Sequence, residues 1–235
     1  MTKTKFPSLT ASLVLATTLT LSCEDKEKDK PATAAETASV AEVTASPPET
    51  AEKTVPDKQG TFTDSRDSKT YKKVTIGTQT WMAENLNFAA KGSKCYDDNP
   101  DNCAKYGRLY DWNVGDTKPC PAGWHLSTYE EWQTLLNYAG GWETAGKKLK
   151  STSGWQDNGG GTDDYGFSAL PGGKVSDDGS FNGSGSDSYW WCVTGITENG
   201  DPIWGYEMGY NGESVSGIGD EFGRMYFFSV RCIQN

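Results

Sequence analysis

The sequence has too few histidines and no closely paired cysteines from which to build the usual zinc sites. It contains one histidine, His125, among 235 residues, and none of its six cysteines forms a C-x-x-C pair. Structural zinc sites take four Cys or His ligands, commonly with two of them closely spaced. The G-x-S-x-G motif of serine hydrolases is also missing. We therefore predict neither a zinc site nor a hydrolase centre of that type.

Basic patches are missing as well. The chain has 22 Lys and Arg against 32 Asp and Glu, which gives a formal net charge of −10, and no cluster of cations is interleaved with aromatic residues. Nucleic acids and anionic membrane surfaces attract proteins of the opposite charge. The composition therefore excludes nucleic acid as a partner, and it excludes attachment to an anionic membrane through surface charge.

Aromatic residues are absent from residues 24–60, whereas all 9 Trp and all 11 Tyr lie between Tyr71 and Tyr226. The aromatic-free segment is rich in Ala, Thr, Glu, Lys and Pro. Such a segment cannot bury enough apolar surface to offset the entropy of ordering it. We predict a disordered tether over residues 23–60 and one folded domain over residues 61–235.

No hydrophobic run is long enough to span a bilayer. Lys3 and Lys5 precede the mildly apolar stretch LTASLVLATTLTL, which leads to LSC at Cys23. This pattern predicts a secretory signal peptide over residues 1–22. The segment resembles the lipobox of bacterial lipoproteins, which implies lipidation of Cys23; ordinary cleavage that leaves a free Cys23 is the alternative. We expect an exported protein, anchored in the bacterial envelope by lipid, at the outer membrane and exposed on its surface.

Five cysteines remain in the folded part, and export favours disulfides among them. The segment KCYDDNPDNC is dense in turn-forming residues and holds Cys95 and Cys103 near its two ends. We predict a short loop closed by a Cys95–Cys103 disulfide. The odd number of cysteines requires one spare thiol or an intermolecular bond.

The segment CPAGWHLSTYEEWQTLL contains the single histidine and begins a predicted helix. Ser127 and Glu130 match the S-x-x-E capping box of a helix start, and the Gly-Gly pair at Gly140 ends the helical pattern. The cap and the helix dipole together account for both glutamates of the first turn. We interpret His125 as a packed, hydrogen-bonded structural residue, with a general base as the alternative.

The spacing of apolar residues predicts an α+β domain. KTYKKVTIGTQTWMAENL alternates around Gly77 and indicates a β-hairpin, while AKYGRLYDWNV fits a short helix. Short β-type runs separated by Gly-rich turns follow the second helix, so we expect two early helices before a mainly antiparallel sheet with long loops. In SYWWCVTG, alternation places Tyr189 and Trp191 on one face and Trp190 and Cys192 on the other. One tryptophan should be core, and the other a surface contact or part of a second packing layer.

Six phrases in order resemble one known family: TIGTQTWMAENLN, YGRLYDW, CPAGWHLSTYEEWQTL, AGKKLKSTSGW, GTDDYGFSALPGG and FFSVRCI. They are similar to the Fibrobacter succinogenes major paralogous domain and cover nearly all of residues 61–235. That family is similar in pattern to C-type-lectin-like domains and to the sulfatase-modifying, formylglycine-generating group. The resemblance implies a C-type-lectin-like fold braced by a Cys120–Cys232 disulfide. Cys192 is then the free thiol, a small buried residue where relatives tend to carry serine.

The resemblance and the composition together predict a binding module. C-type-lectin-like folds commonly hold glycans or proteins with their long loops, and the second half of this chain has the Tyr, Trp, Ser, Gly and Asn mixture of adaptable recognition surfaces. Our ligand-binding candidates are Trp190, Trp204, Tyr206 and Tyr210. Core packing is the alternative for each of them.

Calcium is the cofactor that the resemblance to C-type lectins suggests. Sugar-binding C-type lectins carry Glu-Pro-Asn or Gln-Pro-Asp and a later Trp-Asn-Asp, and none of these occurs here. Acidic clusters at residues 97–101 and at Asp163 with Asp164 offer oxygen ligands, yet turn formation explains them more simply. We predict no cofactor, with calcium, which no motif supports, as the alternative.

These observations favour a lipid-anchored envelope protein that displays a non-enzymatic recognition or adhesion domain, with carbohydrate as the first ligand to consider. A structural envelope role, in contact with other proteins, is the alternative. An enzyme of the formylglycine-generating type is less favoured, because that chemistry uses a redox-active cysteine pair and Cys192 alone would be free.

Overall fold

The computed structural model describes residues 59–115, 118–196, 202–219 and 225–235. These residues form an α+β fold, as predicted, with mostly antiparallel strands and a few short helices. The strands are β1 (Gln59–Thr63), β2 (Thr70–Ile76), β3 (Gln79–Met82), β4 (Trp124–Leu126), β5 (Gly172–Val175), β6 (Phe181–Ser184), β7 (Asp187–Ile196), β8 (Pro202–Gly209), β9 (Ser216–Ile218) and β10 (Cys232–Gln234). The α-helices are α1 (Pro100–Tyr106), α2 (Tyr129–Tyr138) and α3 (Ala145–Leu149), and 3-10 turns lie at Tyr96–Asp98, Trp112–Gly115 and Gln156–Asn158.

The first sheet joins the two ends of the domain. Its strand order is β1-β2-β3-β10-β4, and each neighbouring pair is antiparallel. β2 and β3 form the predicted hairpin, in which Ile76 pairs with Gln79 across a two-residue turn. Gly77 begins that turn with φ +59°, which glycine adopts without steric cost. Helices α1, α2 and α3 follow this hairpin and precede strands β5 to β9, so the expected order of early helices before a mainly antiparallel sheet holds for the second sheet, with three helices in place of two.

The second sheet has the order β6-β5-β7-β8-β9, in which only the β5–β7 pair is parallel. Its central strand β7 is buried on both faces. Trp190 and Cys192 belong to one hydrophobic cluster, and Tyr189 and Trp191 belong to the other. The predicted alternation is therefore confirmed. Both tryptophans are core residues, because the second face of β7 covers a second packing layer.

Helix α2 begins one residue later than its motif suggests. Thr128 is the N-cap: its side chain accepts from Glu131 N at 3.2 Å, and Glu131 Oε2 accepts from Thr128 N at 2.8 Å. The predicted Ser127–Glu130 box is wrong, because Ser127 is fully buried and its Oγ accepts the indole N–H of Trp132 at 2.9 Å. The sequence STYEE contains both capping registers, and the burial of Trp132 selects the second.

Helix α1 begins inside the Cys95–Cys103 segment, where the sequence predicted only a loop, and extends beyond it to Tyr106. Asn99 caps it by accepting from Asp101 N, and Pro100 occupies the first turn, where its missing N–H costs nothing. The helix ends at Gly107, whose φ is +79°. The predicted helix over AKYGRLYDWNV is therefore wrong: a Cβ at Gly107 would lie 2.7 Å from the Asn85 side chain, and this close approach replaces a further helical turn.

A buried polar network lies beneath α1. The Asn85 amide donates to Tyr106 O at 2.8 Å, while its Oδ1 accepts from Trp190 Nε1 at 2.9 Å and from Arg231 Nη2 at 3.0 Å. Arg231 is buried without a carboxylate within ion-pair distance among the described residues, and it also donates to Phe167 O. Burial lowers the pKa of Arg231 to about 9. The Asn85 oxygen therefore carries much of the compensation for this buried charge.

A second buried cation, Lys150, holds glycine-rich loops together. Its ammonium donates to the carbonyl oxygens of Gly159 at 2.7 Å, Gly209 at 3.0 Å and Gly212 at 2.8 Å. It also lies 5.0 Å from the centroid of the Trp155 ring. Burial lowers the pKa of this ammonium. One side chain thus joins the loop at Gly159 to the end of β8 and the loop that follows it.

The predicted domain boundary at residue 61 lies inside β1, which begins at Gln59 and pairs with β2. Gln59 and Gly60 are therefore part of the sheet and not of the tether. The predicted signal peptide, the lipidated Cys23 and the tether up to residue 58 lie outside the described residues. Among the described residues, no helix has both the length and the apolar character needed to cross a membrane.

Candidate functional site

Trp190 is a core residue and not a surface contact. Its side chain is 0% exposed, and its indole N–H is bonded to Asn85. Its ring packs against Trp132 with 5.8 Å between centroids. The prediction that Trp190 contacts a ligand is therefore wrong for this structure, because β7 has a hydrophobic cluster against each face.

The other three predicted ligand contacts lie in separate places. Tyr206 is 2% exposed and stacks on Trp132 with 4.7 Å between ring centroids. Tyr210 is half-buried, in the cleft lined also by Lys150. Trp204 is half-buried and meets Trp112 edge-on at 4.5 Å. Although Trp204 and Tyr206 are two residues apart on one strand, they pack against different clusters; the β7–β8 register shifts between Trp191 and Gly195.

A groove of about 160 Å³ lies between α2 and strands β8 and β9. Helix α2 contributes residues at positions i, i+4 and i+7, which share one side of a helix. Most of the remaining lining is aromatic or aliphatic, and none of the lining residues is charged. The lining residues are Tyr129, Gln133, Leu136, Trp142, Tyr206, Val215 and Gly217.

Trp142 is the most exposed aromatic residue of this groove. Its side chain is 61% exposed. Gly140 and Gly141 end α2 with φ of +101° and +92°, and this left-handed turn redirects the chain immediately before Trp142. Its carbonyl then accepts from Val215 N at 2.8 Å, which ties the loop to the start of β9. The main chain of Trp142 is therefore anchored, and its large aromatic side chain stays outside the core.

Two polar groups lie together in the groove. Gln133 Nε2 donates to Tyr206 Oη at 2.9 Å. Burial raises the pKa of Tyr206 well above its usual range, and the negative charge of Glu130 acts in the same direction. The phenol therefore keeps its proton at neutral pH. An apolar groove with a few placed polar groups is the usual form of a small-molecule site.

Both expected disulfides are present. Cys95 is bonded to Cys103, and Cys120 is bonded to Cys232 across a sequence separation of 112 residues. The second bond attaches the segment before β4 to the C-terminal strand β10. Cys192 is free and buried. Burial, with a smaller contribution from the charge of Glu130, raises the pKa of its thiol well above the usual range.

The acidic clusters take part in local turns. Asn99 caps α1, and Asp163 accepts from both the backbone N–H and the hydroxyl of Ser168, at 2.8 and 2.6 Å. Within the described ranges, no three His, Cys, Asp or Glu side chains converge as metal ligands would. The expectation that the protein needs no calcium therefore stays a prediction.

His125 is hydrogen-bonded through both ring nitrogens. Nε2 lies 2.8 Å from Glu131 Oε1, and Nδ1 lies 2.7 Å from Asn235 Oδ1. Glu131 is also the capping residue of α2. His125 thus connects the start of α2 to the C-terminal residue, in agreement with the interpretation of His125 as a structural residue.

A family model described as the Fibrobacter succinogenes major domain matches residues 74–234, more than half of the chain. The chain belongs to this family. Its Fibrobacter succinogenes major domain begins within β2, ends within β10 and includes every residue that lines the groove. Searches among curated proteins and among solved structures found no match.

The sequence pattern does not reveal the groove of this Fibrobacter succinogenes major domain, apart from Tyr206. It indicates Tyr129 and Gln133 only as parts of a helix, and it assigns no role to Trp142. One signal was available for Trp142: it follows a Gly-Gly helix end, so it belongs to neither the apolar stripe of α2 nor an alternating strand. An aromatic residue in that position has no predicted core to join.

Proposed function

We propose that this chain is a lipid-anchored envelope protein that displays a non-enzymatic, C-type-lectin-like domain for recognition or adhesion. The anchor is supported by the signal-like residues 1–22 and by Cys23 directly after them. The fold assignment is supported by the pairing of β10 with β3 and β4, by the Cys120–Cys232 bond and by the long connections between strands. The second, more specific part of the proposal is the groove beside α2 as the ligand site.

The single observation that carries the proposed function is the exposed Trp142 beside a groove that also presents Gln133 and Tyr206. Binding energy at protein surfaces is concentrated in a few Trp and Tyr side chains, since each offers a large contact area at a small cost in entropy. A rigid aromatic ring next to hydrogen-bonding groups suits a sugar ring, which has an apolar face and polar edges. Carbohydrate is therefore the first ligand class to test.

The non-enzymatic part of the proposal is supported by the state of the candidate nucleophile. Cys192 is buried in the cluster that contains Trp190, and its raised pKa keeps the thiol protonated at neutral pH. A thiol acts as a nucleophile through its thiolate. The other cysteines of the described domain are held in disulfides. Chemistry of the formylglycine-generating type uses a redox-active cysteine pair, and the described domain offers a single free cysteine for it.

The test is binding of the purified chain, with its disulfides intact, to a panel of soluble and insoluble polysaccharides, with and without a calcium chelator. We expect saturable binding that Trp142→Ala abolishes while circular dichroism and the unfolding midpoint stay unchanged. Tyr138→Ala is the matched control, because Tyr138 is an exposed aromatic residue near the end of the same helix but does not line the groove. Binding that survives Trp142→Ala would place the ligand elsewhere and contradict the proposed site.

The structural alternative has a different outcome in the same experiment. A protein that only contacts other envelope proteins should bind no polysaccharide in either chelation state, yet it should self-associate or retain a defined envelope partner. Both properties should then depend on exposed apolar residues. Absence of glycan binding by the folded protein would therefore reject the carbohydrate version of the proposal.

A further inference from the structure

Taking the proposed function as a basis, we propose that the α2 groove binds one sugar unit of a neutral polysaccharide and rejects acidic ones. The groove's volume of about 160 Å³ lies below the range of roughly 300–1,000 Å³ that is usual for sites of whole drug-sized ligands. A site of this size suits one ring of a longer chain. The remaining units of such a polymer then extend over the open sides of the groove.

Charge is the first argument for a neutral ligand. None of the groove's lining side chains carries a charge, so a uronate or a sulfate would lose its hydration without meeting a cation. Two nearby lysines lie outside the lining: Lys147 is paired with Glu213 at 2.6 Å, and the Lys148 ammonium lies against Gly140. Glu130 is exposed beside Tyr129, and the whole chain has a net charge of −10. The electrostatic field therefore disfavours acidic polymers.

Hydrogen-bonding capacity is the second argument. With Gln133 Nε2 donating to Tyr206 Oη, the Gln133 Oε1 remains an acceptor and the phenolic O–H remains a donor. The opposite orientation of the amide would leave its NH₂ group as the donor and Oη as the acceptor, so the pair offers one of each in both cases. A sugar hydroxyl can both donate and accept. A carboxylate can only accept hydrogen bonds, so it would leave the protein's acceptor atom without a donor and facing a carboxylate oxygen.

The third argument is the position of the tryptophan. Trp142 is held by its backbone bond to Val215, on the same groove as the polar pair. A sugar ring that stacks on the exposed indole presents its hydroxyl edge sideways, toward the neighbouring polar groups. We therefore assign Trp142 as the stacking residue and Gln133 as the residue that selects for a hydroxyl.

The experiment compares a soluble neutral β-glucan with polygalacturonate as ligands of the full chain, at about 20 and 300 mM NaCl. We expect the β-glucan to bind with an affinity that changes less than about twofold with salt, since screening acts on charge–charge interactions. Gln133→Met keeps the side-chain length but removes the hydrogen bonds, and we expect a loss of about 3- to 10-fold, equivalent to one net hydrogen bond. Lys148→Gln is the control outside the groove and should leave the affinity unchanged.

The possible failures can be told apart. Binding of polygalacturonate that weakens with salt and is lost in Trp142→Ala would overturn the neutral-ligand inference and leave the proposed recognition function standing. Binding of the β-glucan that is unaffected by Gln133→Met and Trp142→Ala would overturn the assignment of the groove. If the folded protein binds neither polymer nor any other glycan, the carbohydrate version of the proposed function itself fails.

Discussion

Replacing Asn85 by leucine should destabilise the domain more than its single buried amide suggests. Both side chains have four heavy atoms in the same branched arrangement, so the change mainly removes hydrogen bonds. Four buried groups lose a partner: the Trp190 indole N–H, the Arg231 guanidinium, the Tyr106 carbonyl and the Ser229 hydroxyl. A buried polar group left without a partner costs about 1–3 kcal/mol, and a charged one costs more. We therefore expect Asn85→Leu to lower the free energy of unfolding by at least about 3 kcal/mol, a large part of the roughly 5–15 kcal/mol of a typical domain.

The comparison with Asn85→Asp separates this reasoning from a simple packing effect. Aspartate keeps an acceptor for Trp190 and places a negative charge against Arg231, but it loses the donor to Tyr106. If the loss of a partner for the Arg231 charge dominates, Asn85→Asp should lower the free energy of unfolding by less than Asn85→Leu does. If only the branched shape that the three side chains share matters, both variants should be about as stable as the native protein.

The assay is urea unfolding followed by tryptophan fluorescence with the disulfides intact, and both the midpoint and its slope are compared. Asn137→Leu is the control, because Asn137 is exposed on α2 and such surface changes usually stay within about 0.5 kcal/mol. A loss below about 1 kcal/mol in Asn85→Leu would refute the argument that Asn85 compensates the buried charge of Arg231.

Three further predictions test other parts of the structure. Lys150→Met should lower the free energy of unfolding by about 2–4 kcal/mol, because it leaves three loop carbonyls without their cation; thermal unfolding measures this, with the exposed Lys91→Met as control. In a Cys23→Ser background, Cys192 should react with a maleimide at pH 8 only as the protein unfolds, and reaction within seconds in the native state would contradict its burial. Asp64 is buried; although burial alone would raise its pKa, hydrogen bonds and the charge of Arg66 outweigh it and lower the pKa below 3.8. The stability that Asp64 contributes is therefore complete above the pKa that Asp64 has in the unfolded chain, and it is lost as the pH falls through the lower pKa of the folded protein. We expect the difference in unfolding midpoint between the native protein and Asp64→Asn to become smaller below about pH 3.8.

Local patterns were sufficient for the elements that depend on neighbouring residues. Alternation around Gly77 identified the β2–β3 hairpin, and the same period placed Trp190 and Trp191 on opposite faces of β7. The existence of α2 followed from its apolar spacing and its Gly-Gly end. Each of these inferences needs only the periodicity of a strand or helix and one residue with a special backbone preference.

Patterns failed where two local solutions compete and a distant contact decides. Asn-Pro-Asp is compatible with a turn and with a helix start, and the chain around Cys103 takes the helix. STYEE contains two capping registers, and the hydrogen bond between Ser127 and Trp132 selects one. Neither choice can be made without knowing which side chains the rest of the fold buries. The predicted cap, Ser127, and the observed cap, Thr128, are adjacent residues. The error in position is therefore small, but it assigns the capping role to a side chain that is buried against Trp132.

The candidate Trp190 failed for a related reason, which also indicates where recognition can occur in this domain. Each face of β7 packs against a hydrophobic cluster, so an aromatic residue in the middle of this strand is buried in the core on either face. Among the described residues, the most exposed ring comes from a position where an element has ended and its periodicity no longer applies. Trp142 satisfies that condition, because Gly140 and Gly141 release it from α2 and a single backbone bond to Val215 fixes its place. We therefore expect changes in this loop to alter ligand binding with little effect on stability, and changes in β7 to do the reverse.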